Sequence, residues 1–290
     1  MVISYLKSIR YLNLLLLSIL FWGLMIHQYQ RELIPELDHF WLFTAILFTT
    51  ICGYQINNYY DIPTDKINQK AIDKLNESFY LKSYFLHFFF SFLVLFISDL
   101  AGQWFLLIMF THLALIAYSA RIKNWPLLGN IIIAILCSIL VIIPEGLNKA
   151  SFNFEDFNLA KNTNMVYVSF CFALTLIREI IKDMEDINGD KAVNSKTLPI
   201  ILGIKSTKFI LGICSVGIFY VIINCLLASP KSWEFVIFFV LVISLLIFFI
   251  YRLIKANEQA SFKELSKLIK FKFLTATIWL YFISFYHEFT

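Results

Sequence analysis

The chain has 290 residues, of which 59% are hydrophobic and only 15% charged, with a formal net charge of +4 and a mean hydropathy of +0.74. No single soluble core hides that much apolar side chain, so composition excludes a water-soluble globule and indicates a polytopic membrane protein surrounded by lipid. The small positive charge forms no basic patch of the kind that holds nucleic acid, and no nucleic-acid partner is expected.

In chain order, Lys7 and Arg10 precede a first apolar run at residues 11–27. It imitates a signal peptide, yet no small-x-small cleavage site follows it, and the segment reads as a retained first span. Further runs long enough to cross ~30 Å of hydrocarbon lie at residues 39–56, 80–98, 103–119, 127–144, 165–182, 208–228, 232–252 and 271–287. The expected fold is therefore an all-α integral membrane protein of nine transmembrane helices in a single domain covering residues 1–290. With the N-terminus inside, all but four of the 24 Lys and Arg (Arg31, Lys149, Lys161 and Lys231) fall in interior segments, as the positive-inside rule requires. The expected location is a bacterial or archaeal cell membrane.

Cys52, Cys137, Cys171, Cys214 and Cys225 lie singly in apolar runs, and the five His are scattered without an HExxH. Neither a disulfide framework nor a zinc site is expected. Any metal here is held by oxygen.

One acidic pattern occurs twice, each time where an apolar run meets a polar loop: Asp61-Ile62-Pro63-Thr64-Asp65-Lys66 and Asp186-Ile187-Asn188-Gly189-Asp190-Lys191. The paired Asp are 125 residues apart and, under the expected topology, at the same depth on the cytoplasmic side. An even number of spans separates them, which implies two pseudo-repeated halves of four helices in parallel orientation, with a ninth helix appended. On a helix, Asn57, Asp61 and Asp65 fall within ~80° of one another, and Asp183, Asp186 and Asp190 within ~60°, with Glu179 inside the same arc. Carboxylates stacked in this way repel unless a cation lies among them. Mg²⁺ suits the arrangement, because it takes one or two carboxylates and completes its shell with waters and substrate phosphate oxygens. Two matched clusters thus indicate a metal-bridged polyanion held between two halves of one protein.

Asn57-x-x-x-Asp61-x-x-x-Asp65 and Asp186-x-x-x-Asp190 resemble the two Asp-rich motifs of the UbiA superfamily of intramembrane prenyltransferases. Tyr118-Ser119-Ala120-Arg121-Ile122-Lys123 with Leu128-Gly129-Asn130, and Lys196-Thr197-Leu198-Pro199, resemble the segments after that family's fourth helix and second motif. The stretch from Arg178 to Asp186 is most similar to the geranylgeranylglycerol-phosphate geranylgeranyltransferase branch. The chain departs from the family at residues 68–74, where the usual Asn-x-Pro-x-Arg-Pro loop has lost both prolines and the arginine, and at Asn58 and Asn194, which replace the common Asp and Gly. A left-handed turn at Asn194 remains available, since Asn tolerates that backbone.

The resemblance implies transfer of a prenyl group from a prenyl diphosphate to a lipophilic acceptor. Asp61, Asp65, Asp186 and Asp190, assisted by Asp183, would hold Mg²⁺ against the diphosphate. Asn57, Lys123, Lys196, Arg121 and Lys66 would bind its remaining oxygens and charge. Phe88, Phe89, Phe90 or Tyr118 could face an allylic cation. The acceptor could be a glyceryl phosphate lipid, an aromatic ring, a quinone precursor or a porphyrin. From another class, a cation-coupled transporter would also carry intramembrane acids and an internal repeat, but it calls for helices broken at mid-membrane. A CDP-alcohol phosphatidyltransferase would need an Asp-Gly-x-x-Ala-Arg run, which is absent.

Overall fold

The computed structural model describes residues 2–28, 37–68, 75–146, 163–228 and 233–286. Within these residues the chain is entirely helical: α1 (Val2–Ser8), α2 (Tyr11–Gln28), α3 (Leu37–Ile67), α4 (Glu77–Ile97), α5 (Ala101–Ala120), a 3₁₀ turn (Ile122–Asn124), α6 (Leu128–Gly146), α7 (Thr163–Glu185), α8 (Ile187–Ala192), α9 (Leu198–Ala228), α10 (Trp233–Lys255) and α11 (Gln259–Tyr286). Among them, α3, α4, α5, α9 and α10 are long and apolar enough to cross a bilayer. A sixth crossing is added if α1 and α2, bent by 56° at their junction, count as one broken span. The other long helices dilute their apolar runs. In α7, the residues Arg178, Glu179, Lys182, Asp183 and Glu185 crowd the last two turns, and α11 brings Lys270 and Lys272 into its middle.

Two apolar cores organise the bundle. One draws on α2 to α6 through Phe21, Leu42, Ile46, Leu95, Trp104 and Ile143, and the other on α7 and α9 to α11 through Ile177, Ile181, Leu211, Phe249, Phe262 and Ile269. A smaller cluster of Leu24, Val141, Tyr167 and Cys171 joins them. Outward faces carry exposed apolar side chains such as Phe85, Leu106, Phe110, Phe209, Val216, Ile237 and Ile247; a contiguous apolar surface of this kind is matched by lipid tails rather than water. Inside, several hydroxyls are satisfied within their own helices: Thr49 donates to Ala45 O at 2.9 Å, Ser138 to Ala134 O at 2.7 Å and Ser215 to Leu211 O at 2.8 Å. Hydrocarbon offers no other partner. The four described cysteines are unpaired.

α3 sets the position of the site. A crossing takes about 20 residues, whereas α3 has 31, so its C-terminal turns project beyond the apolar run and carry Asn57, Asp61 and Asp65 with them. Pro63 sits inside this extension, where loss of one helical N–H is tolerated because that end is polar. The second motif differs from the continuous helix expected. α7 ends at Glu185 and Asp186 is a joint (φ −96°, ψ 6°) before the six-residue α8. Asn188 and Gly189 are weak helix formers, and the bend lets α8 lie against α3.

Candidate active site

Three contacts bring the two halves together. Just past the end of α3, Asn68 Nδ2 lies 3.4 Å from both the backbone and side-chain oxygens of Asp186, while its Oδ1 accepts the Gly189 N–H at 2.9 Å. Gly189 is required by this approach: a Cβ there would lie 2.4 Å from Asn68 Nδ2 and 2.8 Å from Thr64 Cγ2. Lys123 bonds Asp61 Oδ1 from the 3₁₀ turn, and Asn57 Nδ2 donates to Asp61 Oδ2 at 2.5 Å. The turn that holds Lys123 is fixed by Leu127 in a left-handed conformation (φ 63°) and by Gly129, whose Cβ would meet Lys123 Cα at 2.8 Å.

Asp183 accepts from Asn130 Nδ2 at 2.9 Å. Burial pushes its carboxyl well above the usual carboxylate range, with Asp190 and Glu179 adding to the rise and the Asn130 hydrogen bond opposing it. Tyr118 stands among the groups, in electrostatic range of Glu179, Asp183, Asp61 and Arg10. Asp61 of the first motif and Asp183 beside the second therefore lie near one ring. The loop after α8 is tied to the same 3₁₀ turn: Ser195 Oγ donates to Asn124 Oδ1 at 2.9 Å and Lys196 N–H to Asn124 O at 2.8 Å. Asn194 adopts the left-handed turn expected of it, at φ 56°.

Other expected residues lie elsewhere. Asp65 lines a cleft of about 560 Å³ with Lys7, Ser8, Asn58, Lys66 and Asn76, on the α1/α4 flank of α3. The side chains of Arg121, Lys196 and Lys66 are exposed. Glu179, read from the sequence as part of the acid stack, instead pairs with Arg178 at 2.6 Å and Lys182 at 3.1 Å; cations from its own helix already neutralise it. Phe89 and Phe90 are 59% and 36% exposed on the outer face of α4, and Phe88 packs on Tyr84 and His112, which leaves Tyr118 as the aromatic group of that set beside the acids. Sequence reasoning missed the roles of Asn68 and Asn124. Both are Asn at helix ends next to a motif, and only the packing of α8 and its following loop on α3 and the 3₁₀ turn shows what they join.

The donor set is oxygen throughout, and the carboxylates are apportioned one or two to a cluster. Among the described residues no three His, Cys, Asp or Glu side chains converge as a ready-made ligand shell. This is the donor set Mg²⁺ accepts, since it keeps waters and takes further oxygens from phosphate.

The family model described as the UbiA prenyltransferase family matches residues 16–276. The chain belongs to the UbiA prenyltransferase family. It is a prenyltransferase by that membership, and its helices are those of a membrane-embedded enzyme. Digeranylgeranylglyceryl phosphate synthase of Methanosphaera stadtmanae is 29% identical, over 92% of this chain and 93% of its own length. The synthase of that name from Methanobrevibacter smithii is 30% identical, over 81% and 82%. Among solved structures, a UbiA homologue of Aeropyrum pernix superposes with a TM-score of 0.67 at 15% identity, over 95% of this chain and 98% of its own. A homologue of Archaeoglobus fulgidus bound to DMAPP and Mg²⁺ gives 0.62 at 15%, over 96% and 99%. These likenesses carry the UbiA fold across the full bundle.

Proposed function

We propose that this prenyltransferase transfers a prenyl group from a prenyl diphosphate, with Mg²⁺, to a glyceryl phosphate lipid at the cytoplasmic face of the membrane. The observation that carries the reading is the joining of two acidic motifs, 125 residues apart in sequence, around Tyr118 and through Asn68. The names of the archaeal synthases support the acceptor class. The distribution of Lys and Arg supports nine spans with the site inside.

Asp61 on α3, with Asp183, Asp186 and Asp190 on the α7–α8 arm, would hold the metal, while Asp65 faces the neighbouring cleft. When bound, Mg²⁺ supplies Lewis-acid polarisation of the diphosphate leaving group. The residues of the chain supply the rest. Lys123, fixed by Gly129 and already on Asp61, places a positive charge where the leaving oxygens accumulate negative charge. Asn57 holds Asp61 in one orientation, and Asn130 does the same for Asp183, so the carboxylates are set before substrate arrives. Tyr118 fills the space between the clusters with a ring, which restricts water beside a reactive allylic carbon. In the transfer, the bond between that carbon and the diphosphate oxygen breaks with its electron pair leaving on the diphosphate. The acceptor hydroxyl oxygen forms the new C–O bond, and its proton passes to the released diphosphate.

Purified protein incubated with labelled geranylgeranyl or farnesyl diphosphate, together with geranylgeranylglyceryl phosphate or 4-hydroxybenzoate, should give product mass only with the glyceryl phosphate. EDTA should abolish that product and added Mg²⁺ restore it. Product with the aromatic acid alone would move the acceptor to the aromatic class, and full turnover in EDTA would remove the acidic motifs from metal binding.

A further inference from the structure

Beside the acidic clusters lies a group of cations that the donor diphosphate does not explain. Glu179, 6% exposed, has both oxygens engaged, Oε1 by Arg178 and Oε2 by Lys182. Arg10 and Lys270 add two further positive charges in electrostatic range of the same carboxylate. Four cations thus surround one acid, from α7, from α11 and from the bend before α2, with α2 and α7 both packed on α11. Asp183, the next acid along α7, is engaged by Asn130 instead.

Two further observations show that the surplus is directed at something. The Arg178 Nε is buried and has no hydrogen-bond partner, an arrangement that is costly unless an acceptor arrives. Arg10 is held in the left-handed region at φ 51°, at the bend between α1 and α2, with its guanidinium 4.9 Å from the centre of the Tyr54 ring. Strain of this kind in a non-glycine residue persists where the surroundings enforce it, and it gathers at ligand clamps. Asn13 Nδ2 holds that ring by its hydroxyl at 3.2 Å. Burial, and after it Arg178, Arg10 and Lys182, pulls the Lys270 ammonium down to about 8, as expected of a cation waiting among cations.

We infer that Arg10, Arg178, Lys182 and Lys270 form the seat of a lipid's phosphate monoester headgroup, separate from the Asp-lined seat of the donor diphosphate. A phosphate monoester brings about −1.5 to −2 charges and three acceptor oxygens, which matches a surplus of cations, and the planar Arg fork suits it. The seat lies where apolar stretches of α2, α7 and α11 begin or end, so the attached chain passes directly into hydrocarbon. Tyr118, in electrostatic range of Asp61 and Asp183 and also of Arg10 and Glu179, makes the two seats neighbours. The assignment of this lipid as the acceptor rests on the proposed function; the headgroup seat does not.

The test uses full-length protein in nanodiscs of phosphatidylcholine, in EDTA and without prenyl diphosphate, so that transfer cannot occur. Binding of geranylgeranylglyceryl phosphate is compared with that of the same lipid lacking phosphate. The wild type should prefer the phosphate form by about tenfold or more. Lys270→Gln and Arg10→Gln should each remove most of that preference, Lys270→Arg should keep it, and Lys267→Gln, an exposed lysine on the same helix, should leave it intact. Unfolding temperatures confirm that each variant is folded. Equal binding of the two lipids by the wild type, or an unchanged preference in Lys270→Gln and Arg10→Gln, would each overturn the inference. In turnover, the same two variants should raise KM for the acceptor while leaving KM for the prenyl diphosphate within about twofold; the reverse pattern would assign the cations to the donor. Phosphate-selective binding without product would sink the proposed function and leave the seat standing.

Discussion

The Asn68 amide uses both of its ends at the joint between the motifs, and Gly189 is what lets it come so close. Replacing Gly189 with Ala puts a methyl carbon where Asn68 Nδ2 now lies. The side chain can swing away only by giving up Asp186 and leaving the Gly189 N–H without its acceptor. Each such hydrogen bond is worth about 0.5–1.5 kcal/mol net, a small loss for the fold. For catalysis the loss is larger, because a displacement of about 1 Å can cost on the order of 10²-fold. Gly189→Ala should therefore cut kcat by about 10²-fold with little change in unfolding temperature, measured by prenyl transfer and thermal denaturation. An unchanged kcat would show that the α3–α8 contact does not set the site. The sequence made the carboxylates legible, because like charges repeated at helical spacing beside a membrane need a shared cation. Asn68 was not legible, since an Asn closing a helix is ordinary and its partners are 118 and 121 residues away.

At the level of elements, α9 contains a break that the span prediction stepped around rather than explained. The expected crossing begins at residue 208, and the structure supplies the reason: Gly203 has φ 78° and ψ 163°, a backbone region open essentially to glycine alone. A Cβ at this position would meet nothing within 4 Å, so Gly203→Ala isolates backbone strain from packing. It should destabilise the protein by about 1–3 kcal/mol, read as a lowered unfolding temperature in detergent. A neutral result would mean that the bend re-forms as plain helix at no cost. The α7–α8 arm shows the opposite kind of miss. Residues 183–190 have good helical spacing, and nothing in them alone announces a joint at Asp186. The bend comes from the fit of α8 against α3, a tertiary term that local periodicity does not contain.

For the whole molecule, the two acidic arms come from different cores, one built by α2 to α6 and the other by α7 and α9 to α11. If both arms grip one diphosphate, Asp61→Asn and Asp186→Asn should each lower the chemical step by roughly 10²–10³-fold. The double variant should lose little more than the worse single, as groups acting as a unit do. Single-turnover rates for the three variants decide this, and multiplicative losses would argue for independent sites. Sidedness is tested in intact cells with the native cysteines replaced. A cysteine at Gly102, in the exposed first turn of α5, should react with an impermeant maleimide, and one at Lys267 should not; the reverse labelling would invert the topology. Charge bias carries the expected topology and the repeated motif the meeting of the two halves, while which faces pack together was not legible, since their apolar surfaces look alike in sequence. The Asn68 bridge also has a consequence in time. The ribosome adds about 5–20 residues per second, so Gly189, 121 residues after Asn68, is made roughly 6–24 s later. Throughout that interval the first acidic arm stands at the membrane surface without its counterpart. Catalytic competence is thus acquired in one late step of synthesis, and a ribosome stalled after the first core leaves an inserted, packed and inactive half-enzyme.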